Sequence, residues 1–160
     1  MTTYGPLGTL TRDDDTPVIT FTRTFAVQPA ALWEALTTGA GLEAWLVERA
    51  SVEGGPGGSV EMMFDDDNVV TGRITVWEPM THFAHEWIIN DEFPSEISYR
   101  LTPNDSGTEL RLVHRGLPEE MTGGYTPGWH AFLVRLDAHV TDAPVAEWDD
   151  LFAAVMPLYS

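Results

Sequence analysis

The sequence predicts an α+β fold: a curved six-stranded antiparallel sheet wrapped around a long C-terminal helix, with two short helices after the first strand. Three observations carry this. Apolar and polar residues alternate through six short runs, the signature of strands with one buried face. The last five runs are separated by "DDDN", "EPM", "NDEFP" and "TPNDSG", turn material too short for parallel crossovers. From Thr126 to Val140 the apolar period becomes helical: Trp129, Leu133, Leu136 and Val140 form one stripe, which Phe132 broadens. A sheet curled over that helix buries every apolar face at once.

In chain order, residues 1–15 are polar with Gly and Pro and read as a flexible N-terminal arm; residues 16–160 read as a single domain. Between Thr16 and Val27, Ile19, Phe21, Arg23 and Phe25 share one strand face; Arg23, if buried, needs an acid such as Glu61 or Glu86. Pro29 opens a helix carrying Leu32, Trp33 and Leu36, and a second short helix holds Leu42, Trp45 and Leu46. "EGGPGG" is a flexible turn without the ending of a phosphate loop. Strands follow at Ser59–Phe64, Val69–Trp77, His82–Ile89, Ser95–Leu101 and Thr108–Arg115. In the third strand Val70, Gly72, Ile74 and Val76 are placed inward; in the fourth, Phe83, His85, Trp87 and Ile89. On the outer face Glu86 and Arg100 are placed to pair across neighbouring strands. Thr126 caps the long helix with Pro127 just inside, and Pro144 ends it. A shorter amphipathic helix at about 146–156 presents Trp148, Leu151, Phe152 and Val155.

The 160 residues suffice for one domain with a hydrophobic core, and 43% are apolar. No run reaches the length of a membrane span, and the start lacks the basic and apolar regions of a signal peptide, so a cytoplasmic location is expected. Cysteine is absent, which excludes disulfides and thiolate chemistry. Twenty-five acidic residues face eight arginines and no lysine, giving a formal charge of −17. Such a field repels nucleic acid and anionic membranes. The clusters Asp13–Asp15, Asp65–Asp67 and Asp149–Asp150 read as solvated acidic surface, without calcium-loop spacing.

Four stretches resemble a known family when taken in order: "ALWEALTTGAGLEAWL", "VVTGRITVWEPMTHFAHEW", "GTELRLVHRGL" and "PGWHAFLVRLDAHV", within Val18–Val140. Their order and spacing resemble the START-like, or SRPBCC (Bet v 1-like helix-grip), superfamily, closest to the activator of Hsp90 ATPase homologue 1-like family. The resemblance implies a helix-grip fold with a central cavity roofed by the C-terminal helix. It implies no shared catalytic signature, and members include hydrophobe carriers and aromatic cyclases. It also makes Trp45 and Trp129 look structural. The second, client-binding module of an Hsp90 activator is missing, so a chaperone partner is not expected.

The leading expectation is non-enzymatic binding of a small hydrophobic or aromatic ligand between sheet and helix. A cyclase- or hydratase-type enzyme and a co-chaperone-like interaction domain are the alternatives, together with a cavity filled by its own side chains. The cavity is assigned to Phe83, His85, Trp87, Ile97, Tyr99, Leu112, His114, Trp129, Phe132, Leu133 and Leu136. His85, His114, His130 and Tyr99 are the candidates for acid–base or orienting roles, because imidazole titrates near neutrality and a phenol donates a hydrogen bond. Gly116, Met121, Gly123, Gly124 and Tyr125 form a candidate gate before the long helix. No cofactor or metal is expected; a homodimer through a sheet edge is left open.

Overall fold

The α+β prediction holds, with eight strands rather than six. The structure is a computed structural model, and it describes residues 4–159; residues 1–3 of the expected arm and residue 160 lie outside the described residues. The strands are β1 (Thr9–Asp13), β2 (Thr16–Phe25), β3 (Arg49–Glu53), β4 (Ser59–Asp65), β5 (Asn68–Glu78), β6 (His82–Ile89), β7 (Glu92–Asn104) and β8 (Gly107–Arg115). They form one antiparallel sheet in the order β1-β2-β8-β7-β6-β5-β4-β3. The helices are α1 (Pro29–Thr37), α2 (Gly39–Trp45), α3 (Thr122–Val140) and α4 (Trp148–Val155). None is long and apolar enough to cross a membrane.

The two additional strands are the edges. Residues 9–13, expected in a flexible arm, are exposed throughout and pair with β2 across a hairpin. Asp14 and Asp15 both take positive φ there (49° and 69°), the left-handed pair that a tight two-residue hairpin requires and that aspartate tolerates. β3 buries only Ala50 and Val52 partly, which explains its faint alternation.

Core faces follow the alternation except at one bulge. Phe83, His85 and Trp87 of β6 point inward, as do Val70 and Ile74 of β5. Between Ile74 and Val76 the register slips by one residue, so Trp77 rather than Val76 joins the inner face, where its ring meets Trp33 and Phe83. α2 closes against α1 through Gly41, where a Cβ would lie 2.4 Å from the Glu34 carbonyl oxygen. Trp45, fully buried, donates from Nε1 to the Ala35 carbonyl at 2.9 Å and ties the two helices together.

Three further sequence expectations are corrected. α3 begins at Thr122, not Thr126, after a short 3-10 turn at Glu119–Met121. The Thr122 hydroxyl donates to the Glu119 carbonyl and the Thr126 hydroxyl to the Thr122 carbonyl, so side chains satisfy backbone acceptors ahead of Pro127. Glu86 sits opposite Glu96, not Arg100, and its carboxylate accepts from the Arg73 backbone amide. Arg23 is buried without Glu61 or Glu86, which lie strands away; its guanidinium donates to the Pro6 carbonyl at 3.0 Å and sits 5.8 Å from the Phe21 ring.

Candidate functional site

The space between sheet and α3 is filled. Phe83, His85, Ile97, Tyr99, Leu112, His114, Leu133 and Leu136 are each at most 2% exposed. They were expected to line a cavity; instead their rings and branches interlock, with Phe83 stacked on Tyr99 and Trp129 edge-on to Tyr99. The open volume lies at one end of the sheet–helix sandwich. A cleft of about 950 Å³ opens between α2, the ends of β4–β6, α3 and α4.

Its floor is aromatic. Trp87, Tyr125, Trp129 and Phe132 line it, with Phe64 and Ile89 from the sheet and Leu46 and Val47 from the end of α2. Trp148 and Phe152 of α4 form the outer wall; their rings stack 4.7 Å apart, and Trp148 lies 5.4 Å from Phe132. Two glycines make the room. Gly124 and Gly128, four residues apart, share one face of α3. A Cβ at Gly124 would meet nothing within 4 Å, and one at Gly128 would meet only Trp148, at 3.7 Å. Arg135 braces the opening: its Nε donates to the Trp45 carbonyl at 3.0 Å and its Nη1 to the Ala146 carbonyl at 2.7 Å. It thereby ties the end of α2 and the α3–α4 connection to α3.

Of the expected cavity residues, Trp87, Trp129 and Phe132 therefore face the cleft. Of the expected gate, Gly124 and Tyr125 do. The gate is not a loop, however: Gly123, Gly124 and Tyr125 form the first turns of α3, and Met121 closes the preceding 3-10 turn. Gly116 keeps a left-handed conformation (φ 93°) beside Ser95, away from the opening. Sequence reasoning missed Trp148 and Phe152 as cleft residues. Their helical spacing was legible, but nothing in it showed that α4 folds back along α3.

The three histidine candidates are engaged in structural hydrogen bonds. His114 Nδ1 accepts from the Trp129 indole N–H at 2.9 Å. A neutral ring then carries its proton on Nε2 and donates to the Ser95 hydroxyl at 2.8 Å, which donates to the Trp87 carbonyl at 3.1 Å. Every lone pair and proton of this imidazole is used. Burial pushes the His114 pKa down to about 3, with a smaller push from His85. His85 donates from Nδ1 to the Glu86 carbonyl at 2.7 Å, and burial lowers its pKa to about 4 despite that bond. His130 belongs to a separate clasp. Its Nε2 donates to the Tyr4 carbonyl at 2.8 Å, and its Nδ1 accepts from the Tyr159 hydroxyl at 2.7 Å. That hydroxyl accepts from the Gly8 amide, so residues from both ends of the described chain are fastened to α3.

Tyr99 is buried with no partner for its hydroxyl among the described residues, and desolvation raises its pKa. An unpartnered buried hydroxyl costs about 1–3 kcal/mol. Tyr99→Phe is therefore expected to leave chemical-denaturation stability unchanged or raise it by about 1 kcal/mol; a loss above that would reveal a hydrogen bond at this hydroxyl.

On the outer face, Ser98, His82 and Glu78 imitate a hydrolytic triad. His82 Nε2 lies 2.8 Å from the Ser98 hydroxyl, and Nδ1 lies 3.8 Å from the Glu78 carboxylate. Arg100 donates to Nδ1 at 3.3 Å, which fixes the proton on Nε2, so the ring donates to Ser98 and cannot activate it.

Comparisons with known proteins agree with this architecture. A family model described as "Activator of Hsp90 ATPase homolog 1-like protein" matches residues 26–141. No curated protein matches significantly. Among solved structures, CalU16 from Micromonospora echinospora superposes with a TM-score of 0.77 at 20% identity, over 94% of this chain and 93% of that one. Protein MLL2253 from Mesorhizobium loti gives 0.71 at 24% identity, over 78% and 96%. The Aha1 dimer from Colwellia psychrerythraea gives 0.68 at 22%, over 77% and 95%. Likeness at such identities speaks for the fold alone.

Proposed function

The chain belongs to the activator of Hsp90 ATPase homologue 1-like family, within the START-like helix-grip superfamily, and on that footing we propose that it binds a small apolar or aromatic molecule. The site is the end cleft, not the filled centre. One observation carries this reading: an aromatic-walled volume of about 950 Å³, at the upper end of what small-molecule sites span, persists beside a tightly filled core. Burial of apolar ligand surface supplies the affinity, at about 25 cal/mol per Å² before ordering costs.

Binding is favoured over chemistry. A general base works best with a pKa near the working pH. His85 and His114 are held far below that, and neither lines the cleft. A co-chaperone-like role finds less support, because the aromatic rings of the cleft are gathered around one open volume of small-molecule size. The Colwellia relative was solved as a dimer, which supports testing for a homodimer by light scattering.

Native mass spectrometry of freshly purified protein, followed by denaturing extraction, tests the reading. We expect a stoichiometric apolar molecule, or its uptake from a library of neutral lipids and aromatics. Gly124→Trp, which grows a side chain into open space, is expected to abolish that uptake without lowering Tm. A chain that takes up nothing, or a Gly124→Trp protein that binds as well as the parent, would contradict the cleft assignment.

A further inference from the structure

We propose that the cleft selects cationic over neutral and anionic apolar molecules, so that its ligand is an amphiphilic amine. The inference rests on the reading of the cleft as a binding site and adds the sign of the ligand's charge. The cleft mouth carries Glu43, Glu48, Asp65, Glu147 and Asp149 against the single cation Arg135. All five carboxylates are on exposed residues, and none of them is in an ion pair among the described residues. Arg135 spends two of its nitrogens on backbone carbonyls, which leaves fewer donors for a ligand's acid group.

The acids alone would be ordinary solvated surface. What they surround is not ordinary: an apolar volume walled by indole and phenyl rings. The rings hold an apolar body and offer electron-rich faces to an adjacent positive group. The carboxylates sit where the polar end of such a body emerges. A cation about 7 Å from several carboxylates gains about tenfold in affinity at low salt, after screening; an anion loses about as much. The formal charge of −17, with no lysine, extends the same sign over the whole approach and speeds encounter with cations. A carboxylate-bearing hydrophobe such as a fatty acid meets the opposite field at every step.

The test uses one ring system with three charges: 1-naphthylmethylammonium, 1-naphthalenemethanol and 1-naphthoate. Affinities are measured by calorimetry at 20 and 500 mM NaCl, on the full chain and on a Glu48→Gln/Glu147→Gln/Asp149→Asn variant. We expect the ammonium to bind about tenfold tighter than the alcohol and the naphthoate to bind weakest. High salt and the triple variant should each shrink the ammonium-to-alcohol ratio toward one, and the variant's circular dichroism and Tm show that its fold is intact. Alcohol and naphthoate binding as well as the ammonium would overturn this inference and leave the cleft reading standing. Binding of none of the three would overturn both.

Discussion

Between pH 7.5 and pH 5, the protein is expected to lose about 4 kcal/mol of stability from His85 and His114 alone. Both are buried neutral, with pKa values of about 4 and about 3 in the folded state against an ordinary value of about 6.5 when unfolded. The unfolded chain therefore binds protons that the folded chain refuses. Stability is complete above about pH 6.5 and falls as pH drops below it, until each folded pKa is reached. His130, also lowered by burial, adds in the same direction, since its protonation removes the acceptor for the Tyr159 hydroxyl. Protonation of the many carboxylates relieves self-repulsion, but mainly below about pH 5, where carboxylates titrate. The loss is large against the 5–15 kcal/mol stability of a typical domain. Denaturant titrations at pH 7.5, 6 and 5 read it directly; a flat profile would mean that these imidazoles are not buried in neutral form.

His114→Ala is expected to cost about 3–5 kcal/mol. The imidazole sits edge-on to Trp87, Tyr125 and Trp129, so truncation opens a hole at the centre of the aromatic core. It also strands the Trp129 indole N–H and one bond of Ser95. The same variant should lose about half of the pH dependence between 7.5 and 5, because one of the two fully buried imidazoles is gone. A variant as stable as the parent would mean that the Trp129–His114–Ser95 chain holds nothing in place. Were His114 instead an acid–base group awaiting substrate, its removal would abolish a reaction and spare the fold.

Much of the fold was legible because burial leaves a period. The alternation Phe83-His85-Trp87 fixed the inner face of β6, and Trp148, Leu151, Phe152 and Val155 fixed the packing face of α4. β1 escaped because an edge strand with solvent on both sides needs no alternation, and β3 because it half-buries only Ala50 and Val52. Trp77 was turned the wrong way because a one-residue bulge leaves no mark in composition. The start of α3 was misplaced because Gly123 and Gly124 read locally as loop, whereas both are helical, flanked by the buried Thr122 and Thr126. The site was half legible. Aromatic residues at Trp87, Trp129 and Phe132 pointed to the right neighbourhood, and their placement in a central cavity did not survive packing. Where the volume opens depends on how α4 returns along α3 and on which α3 positions are glycine, a property of the assembled elements.

The most direct test of the central claim is a heteronuclear NMR titration of the indole N–H signals with 1-naphthalenemethanol. The chain has six tryptophans, and the fold separates them. Trp87, Trp129 and Trp148 line the cleft, while Trp33 and Trp77 pack against Phe83, four residues along β6 from Trp87, or about 13 Å. Saturable shifts at Trp87, Trp129 and Trp148, with Trp33 and Trp77 unmoved, are the predicted result. Shifts centred on Trp33 and Trp77, or none at saturating probe, would contradict it.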